Sequence, residues 1–370
     1  MLDFSSSLYL GFRHPSCALR PWESLTTGAP AALAEPDNNR AVAQALARLQ
    51  GCERGVLAPS TLHLFWDLFV VLGRERVEIY TDAGIYPIAR WGVERVAGRG
   101  TPVQVFSHYD TAELRRILQR RRRGGARPLI VTDGFCPVCG RPAPARELQS
   151  CAREFNGLLV IDDTQSLGIL GHSPDHTLPY GRGGGGVLTW SGIGGAEIIV
   201  VSSLAKGFGV PMAVLSGSRN IIGVFEEGSE TRVHCSQPSS AVINAAGYAL
   251  RVNSRVGDAL RFRLVRLVTR FRNRLSSAGF SSSGGIFPFQ TLMPVPAFNA
   301  ISLHEKLLRS GVKAVLHKGG RGKLPLLSFI ITAAHSPFDI DRAVNLLNEI
   351  TGKKPLDRNC GGGYGRAIQV

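Results

Sequence analysis

Short apolar runs recur along the chain, each ending in small or polar residues. They read "VEIYTDAG" (77–84), "PLIVTDG" (128–134), "GLLVIDD" (157–163) and "AEIIVVSS" (196–203). Runs of this length, rich in β-branched residues and without alternation, predict strands buried on both faces. Between them lie segments of helical period, among them "DTAELRRILQRR" and "ARELQSCAREF". Strands alternating with helices predict an α/β fold with a mostly parallel sheet and helices on both faces. In such sheets ligands gather beyond the carboxyl ends of the strands. The polar residues at those ends are Asp82, Asp133, Asp162, Asp163, Ser202 and Ser203. The apolar stretch "LHLFWDLFVVLG" is too short to cross a membrane and is interrupted by Asp67, so it predicts a core helix.

After about residue 250 the pattern changes. A basic amphipathic helix over roughly 249–277 is followed by a Gly/Ser-rich turn region, "SSAGFSSSGGIFPF". A helix ("SLHEKLLRSGV"), a strand ("LLSFIITAA") and a last helix follow, the last with Ser336 as N-cap and Asp339 three residues on. The expected organisation is an N-terminal segment (1–35), a large domain (36–250), a smaller α+β domain (251–355) and a polar, disordered tail (356–370).

Lys206 stands alone in the uncharged stretch "VSSLAKGFG", just past a buried strand. An ammonium group there is costly unless it is neutral, paired or covalently modified. Charge and cysteine usage add to this picture. The 370-residue chain carries a net charge of +15, which favours anionic partners. The densest basic run, "RRILQRRRRGGAR" (115–127), reads as the solvated end of a helix. It lacks interleaved aromatics, so nucleic acid is not expected as a partner. Seven cysteines fit free thiols in a reducing compartment. The start, "MLDFSSSLYLGF", has no basic n-region or cleavage signature, so a cytoplasmic location is expected.

"LLVIDDTQSLGILG", followed some forty residues later by "SSLAKGFG", resembles the α-oxoamine synthase family of fold-type I pyridoxal-phosphate (PLP) enzymes. "FSSSLYLGF", "VTDGFCPVCGRPAPARELQSCAREFNG" and "TAAHSPFDIDRAVNLL" resemble further segments of that family in the same order. The resemblance implies an aminotransferase-type fold, PLP as cofactor, and a homodimer with active sites at its interface. It implies decarboxylative condensation of an amino acid with an acyl thioester, on CoA or a carrier protein, to give an α-amino ketone. The alternatives are another PLP reaction on the same scaffold (aminotransferase or C–C lyase) and a non-catalytic relative; intact Lys206 and Asp162 speak against the last.

On that resemblance Lys206 holds the cofactor and later acts as base. Asp162 keeps the pyridine nitrogen protonated. Ser60 and Thr61, in "APSTLHLFW", and Ser203 reach the phosphate. Ser236 serves the phosphate of the neighbouring subunit. Several positions depart from the family pattern. Tyr86 stands where a histidine stacks on the ring, and Gln165 where a second histidine faces the phenolic oxygen. Gln165 keeps a hydrogen-bond donor and loses the ability to titrate. Cys136 replaces a loop serine that faces the cofactor. Ser328 replaces the arginine that grips the substrate carboxylate, and Ser7 the asparagine that assists it. Arg321, Lys323 and Arg13 are the candidate substitutes for that clamp.

Cys136 and Cys139 form "CPVC". One CxxC without a second pair is a weak zinc signal, and no metal is expected. His108 is expected as a loop residue and His335 as a structural residue before the last helix.

Overall fold

The computed structural model describes residues 1–121, 125–294, 299–317 and 324–352. Its centre is a seven-stranded sheet. In chain order the strands are β1 (Arg54–Ala58), β2 (Val77–Asp82), β3 (Val103–Phe106), β4 (Arg127–Asp133), β5 (Leu158–Asp162), β6 (Ile198–Ser203) and β7 (Ala213–Gly217). Their spatial order is β1-β7-β6-β5-β4-β2-β3. Only β7 runs antiparallel to its neighbours; β6, β5, β4, β2 and β3 are mutually parallel. The four strands read from the sequence form the middle of this sheet, where both faces are covered and continuous apolar runs are needed.

Two apolar layers sandwich the sheet. On one face Ile79, Leu129, Val131, Val160, Ile199 and Val201 pack with Phe65, Leu68 and Phe69 of helix α2 (Thr61–Leu72) and Val93 of α3 (Pro87–Ala97). On the other face Ile130, Leu159, Ile161 and Val200 pack with Leu114 and Leu118 of α4 (Thr111–Arg121) and Leu148 of α5 (Ala145–Glu154). Each fully buried aliphatic side chain of this kind contributes roughly 1.5–3 kcal/mol.

Asp67, the charge inside the apolar helix α2, is buried but well supplied with donors. Its Oδ2 accepts from Ser229 Oγ (2.6 Å), Thr231 N (2.8 Å) and Thr231 Oγ1 (2.7 Å), and Arg95 lies 3.6 Å from Oδ1. The carboxylate therefore ties the helix to the segment after Gly228.

The smaller layer is a four-stranded antiparallel sheet. Ser282–Ser283, Phe289–Leu292, Leu326–Ile330 and Val315–His317 lie side by side in that order. The chain start joins this layer. Leu2–Asp3 pairs in parallel with Val312–Lys313, and Ile330 N donates to Phe4 O (2.8 Å). His335 is structural, as expected. Its ring stacks on Phe4 at 4.3 Å, its Nδ1 accepts from Thr332 N (2.9 Å), and its Nε2 meets Asp3 O (3.0 Å). The last helix, Pro337–Thr351, carries the expected capping box of Ser336 and Asp339.

The basic helix runs from Ser240 to Ser277, capped by Ser239, and so begins nine residues before the expected start. It passes unbroken through residue 250 and links the large and small layers. Among the described residues no helix is long and apolar enough to cross a membrane, and the six described cysteines are all free thiols. The expected tail, 356–370, lies outside the described residues.

Candidate active site

The carboxyl ends of β4, β5 and β6 bring the central candidates together. In register, Asp133 on β4 is paired with Asp162 on β5, and Asp162 with Val201 on β6. Two carboxylates thus stand side by side on adjacent strands. Lys206 lies in the turn that follows β6, within electrostatic reach of both. Burial pushes the Lys206 amine below the usual lysine range, and the charges of Asp162 and Asp133 oppose that shift. Burial likewise pushes the Asp162 carboxyl up, held back by Thr164 and by Lys206. Thr164 N donates to Asp162 Oδ1 at 3.0 Å. Asp133 is pushed well above the usual carboxylate range by burial and by the neighbouring charge of Asp162.

Asp133 is the residue that the sequence reading passed over. It appears there only as one of several strand-end carboxylates. Its Oδ1 accepts from Tyr86 N at 3.1 Å, which fixes the start of α3, where Pro87 occupies the first helical position. The Tyr86 ring is left 53% exposed. An aromatic face is therefore held open beside the carboxylate pair.

Gln165 follows β5 in a turn. Its Oε1 accepts from Tyr9 Oη at 2.7 Å, so its amide nitrogen is turned the other way as a donor. Tyr9 is fully buried, and burial pushes its hydroxyl well above the usual phenol range, so it stays a donor. The N-terminal segment is thereby fastened to the turn after the aspartate pair.

Ser60 is the N-cap residue of α2, with extended backbone (φ −158°), but its side chain makes no capping bond to the helix. Its hydroxyl instead meets His63 Nδ1 at 2.9 Å. The first amides of α2, Thr61 at their head, keep the N–H groups that an anion at a helix N-terminus would take. Ser203 N donates to Thr164 Oγ1 (3.0 Å), and Ser203 Oγ accepts from Ala205 N (3.2 Å), which shapes the turn that carries Lys206.

Other candidates are placed differently. Ser202 points to the opposite side of β6, where its hydroxyl accepts from Gln50 Nε2 (2.8 Å) while Ser216 Oγ donates to Gln50 Oε1 (2.8 Å). That buried network is structural. Ser328 lies in the small sheet and is fully buried. Its hydroxyl is shared with Thr291 Oγ1 and His317 Nε2, both at 2.8 Å. Among the described residues it is a buried hydroxyl held by these two partners. Ser7 is half-buried near the chain start, and Arg13 is exposed. Arg321 and Lys323 lie outside the described residues. Ser236 is exposed on this chain. Cys136 is buried in the two-residue strand Phe135–Cys136, directly after Asp133 and Gly134.

The sheet order with one antiparallel strand, the small C-terminal layer and the lysine–carboxylate cluster at the strand ends define the class. Residues 36–347 match the aminotransferase class I and II family, to which the chain belongs. The fold is that of the fold-type I PLP-dependent transferases, and the similarity to α-oxoamine synthases holds for individual relatives. The chain is 34% identical over 262 residues to 8-amino-7-oxononanoate synthase of Geobacter metallireducens, covering 68% of this chain and 62% of that protein. It is 29% identical over 255 residues to the enzyme of the same name from Citrifermentans bemidjiense, covering 67% and 62%. The alignments thus span 62% of the length of these curated relatives. Among solved structures, Sphingomonas wittichii serine palmitoyltransferase superimposes with a TM-score of 0.82 at 18% identity, covering 95% of this chain and 87% of that one. The 8-amino-7-oxononanoate synthase of Francisella tularensis does so with 0.73 at 18% identity, covering 95% and 98%.

Proposed function

We propose that this chain is a PLP-dependent acyltransferase. It joins an amino acid to an acyl thioester, on CoA or a carrier protein, with loss of CO2, and yields an α-amino ketone. The observation that carries the reading is Lys206 at the end of β6 beside the paired carboxylates Asp162 and Asp133. The donor set suits the cofactor. The buried Asp162 carboxylate would give a protonated ring nitrogen its counter-charge. The start of α2, with Ser60 making no capping bond, suits a phosphate.

When bound, PLP supplies an electron sink for negative charge at the substrate Cα. The chain's own groups do the rest. Asp162 would hold the proton at the ring nitrogen, and Asp133 would keep Tyr86 in place over the ring. The Gln165 amide, its oxygen occupied by Tyr9, would donate to the phenolic oxygen. Ser60, Thr61 and Ser203 would hold the phosphate. Lys206, with its affinity for protons reduced by burial, would accept and return a proton at the substrate Cα.

The +15 charge suits a phosphate-rich CoA or an acidic carrier protein. Trp22, Leu25 and Leu33 expose apolar surface on the N-terminal segment, which supports burial against a second copy; Ser236 would act only in such a dimer. Free thiols fit work in a reducing compartment such as the cytoplasm. The test is to incubate the PLP-loaded protein with candidate amino acids and acyl thioesters and to follow thiol release and product mass. An amino ketone with stoichiometric thiol release supports the reading. A keto acid without thiol release indicates an aminotransferase and overturns it.

A further inference from the structure

The "CPVC" motif acquires a third member in the fold. His108, in the turn after β3, lies beside Cys136 and Cys139, and one ring nitrogen and the two Sγ atoms are all within 4.8 Å of one another. They come from two places along the chain, the turn after β3 and the loop after β4. β3 and β4 flank β2, and the turns after them meet at the same end of the sheet.

The histidine is held as a ligand would be. Its Nδ1 lies 2.7 Å from Asp82 Oδ1. Asp82 is buried and also accepts from Gly84 N (2.6 Å) and Tyr109 N (2.8 Å), so it is an anchored acceptor. An Nδ1–H donated to that carboxylate fixes the ring so that Nε2, once it gives up any proton, is the nitrogen that can bind a metal. Nε2 lies 3.4 Å from Cys139 Sγ. Two ligands of a tetrahedral ion with Zn–S of about 2.3 Å and Zn–N of about 2.0–2.1 Å stand roughly 3.6 Å apart, so the edge is already of the right length.

The cysteine loop is shaped for the same purpose. Cys139 N donates to Cys136 Sγ (3.4 Å), and Gly140 N donates to Cys136 O (2.9 Å). Gly140 has φ +70°, and a Cβ there would lie 2.5 Å from Gly284 Cα, so the turn needs glycine. The Cys139 N–H gives a metal-bound Cys136 sulfur a hydrogen-bond donor.

We propose that Cys136, Cys139 and His108 form a mononuclear zinc site, with Asp82 as the residue that positions His108 and with water in the fourth place. Two soft sulfurs and one imidazole in a tetrahedral arrangement select Zn(II) over hard cations such as Mg(II) or Ca(II). On binding, each thiol gives up its proton to solvent. The site does not depend on the acyltransferase reading. It begins three residues after Asp133, so the metal would brace the loop that leaves the candidate active site.

The test uses the full chain, reduced and stripped of metal, titrated with Co(II) and with Zn(II). The wild type should take up one equivalent of Co(II), with thiolate-to-metal charge-transfer bands and tetrahedral d–d bands, and Zn(II) should displace it. Cys139→Ser and His108→Ala should abolish those bands with the far-UV circular dichroism unchanged. Asp82→Asn should weaken Zn(II) binding about 10–100-fold. Absence of the charge-transfer bands in the reduced wild type overturns the proposal, whatever the variants do. So does uptake that is the same in wild type and in Cys139→Ser. Loss of two hydrogens in air, with no metal uptake after reduction, identifies a plain dithiol pair and likewise overturns it.

Discussion

The hydroxyl of Tyr9 donates to the side-chain oxygen of Gln165 at 2.7 Å, joining the N-terminal segment to the turn after β5. Without this bond the Gln165 amide is free to rotate and present either end to the site. Tyr9→Phe should leave the fold intact but cost about 0.5–1.5 kcal/mol of stability, the usual net contribution of one buried hydrogen bond. It should also weaken PLP binding and shift the visible absorbance of the bound cofactor. Denaturant titration and spectral titration with PLP check the two effects. An unchanged cofactor spectrum would remove Tyr9 from the positioning role.

Asp162→Asn keeps the shape of the β5 end and removes its charge. PLP should still bind, since Lys206 and the start of α2 are untouched. Turnover should fall by orders of magnitude, because the ring nitrogen loses the partner that holds its proton. Near-normal turnover with tight cofactor binding would contradict the role given to Asp162.

Asp163 is fully enclosed and accepts from Val187 N at 3.0 Å, and burial pushes its carboxyl up to about 7. In the unfolded chain the same group titrates near its ordinary 3.8. Between these values the unfolded chain releases the proton and the folded protein keeps it, so stability falls as pH rises from about 4 to 7. Asp163→Asn should remove this dependence, about 4 kcal/mol across the window. Unfolding free energies of wild type and variant at several pH values check it; parallel curves would refute it. Gly186 has φ +92° and a Cβ there would fall 1.8 Å from Asp163 Oδ2, so Gly186→Ala should also destabilise, by about 1–3 kcal/mol or more.

Ser328 stands where the resembling family carries an arginine, and it is enclosed by Thr291 and His317. Restoring the charge by Ser328→Arg should lower the melting temperature and fail to improve binding of simple amino acids. A buried charge without a partner costs about 3–5 kcal/mol. Wild-type affinity for glycine, alanine and serine should be weak unless Arg321 or Lys323 closes over the site. Spectral titration of Arg321→Ala and Lys323→Ala decides between these. Tight wild-type binding unaffected by either variant would contradict both ideas.

The sequence revealed the middle of the sheet and little of its edges. β2, β4, β5 and β6 are read within two residues because strands covered on both faces need unbroken apolar runs. β3, "VQVF", lies at an edge and is only four residues long, and β1 and β7, "RGVLA" and "AVLSG", are short and rich in small residues, so none gives a comparable signal. The start of the long helix was missed because "SAVINAAGYAL" packs through small residues and shows no strong amphipathic period. Lys206 and Asp162 were legible through an isolated charge and a motif. Asp133, Tyr9 and His108 were not, since their partners, Tyr86, Gln165 and the cysteine pair, are 47, 156 and about 30 positions away and only the fold brings them together.

The central claim is that Lys206 carries the cofactor. The direct measurement is borohydride reduction of the PLP-treated protein, followed by proteolysis and mass mapping. The account predicts a single phosphopyridoxyl mark on Lys206, within "SSLAKGFG", and none after Lys206→Ala. A mark on another lysine, or no stable mark at all, would contradict it.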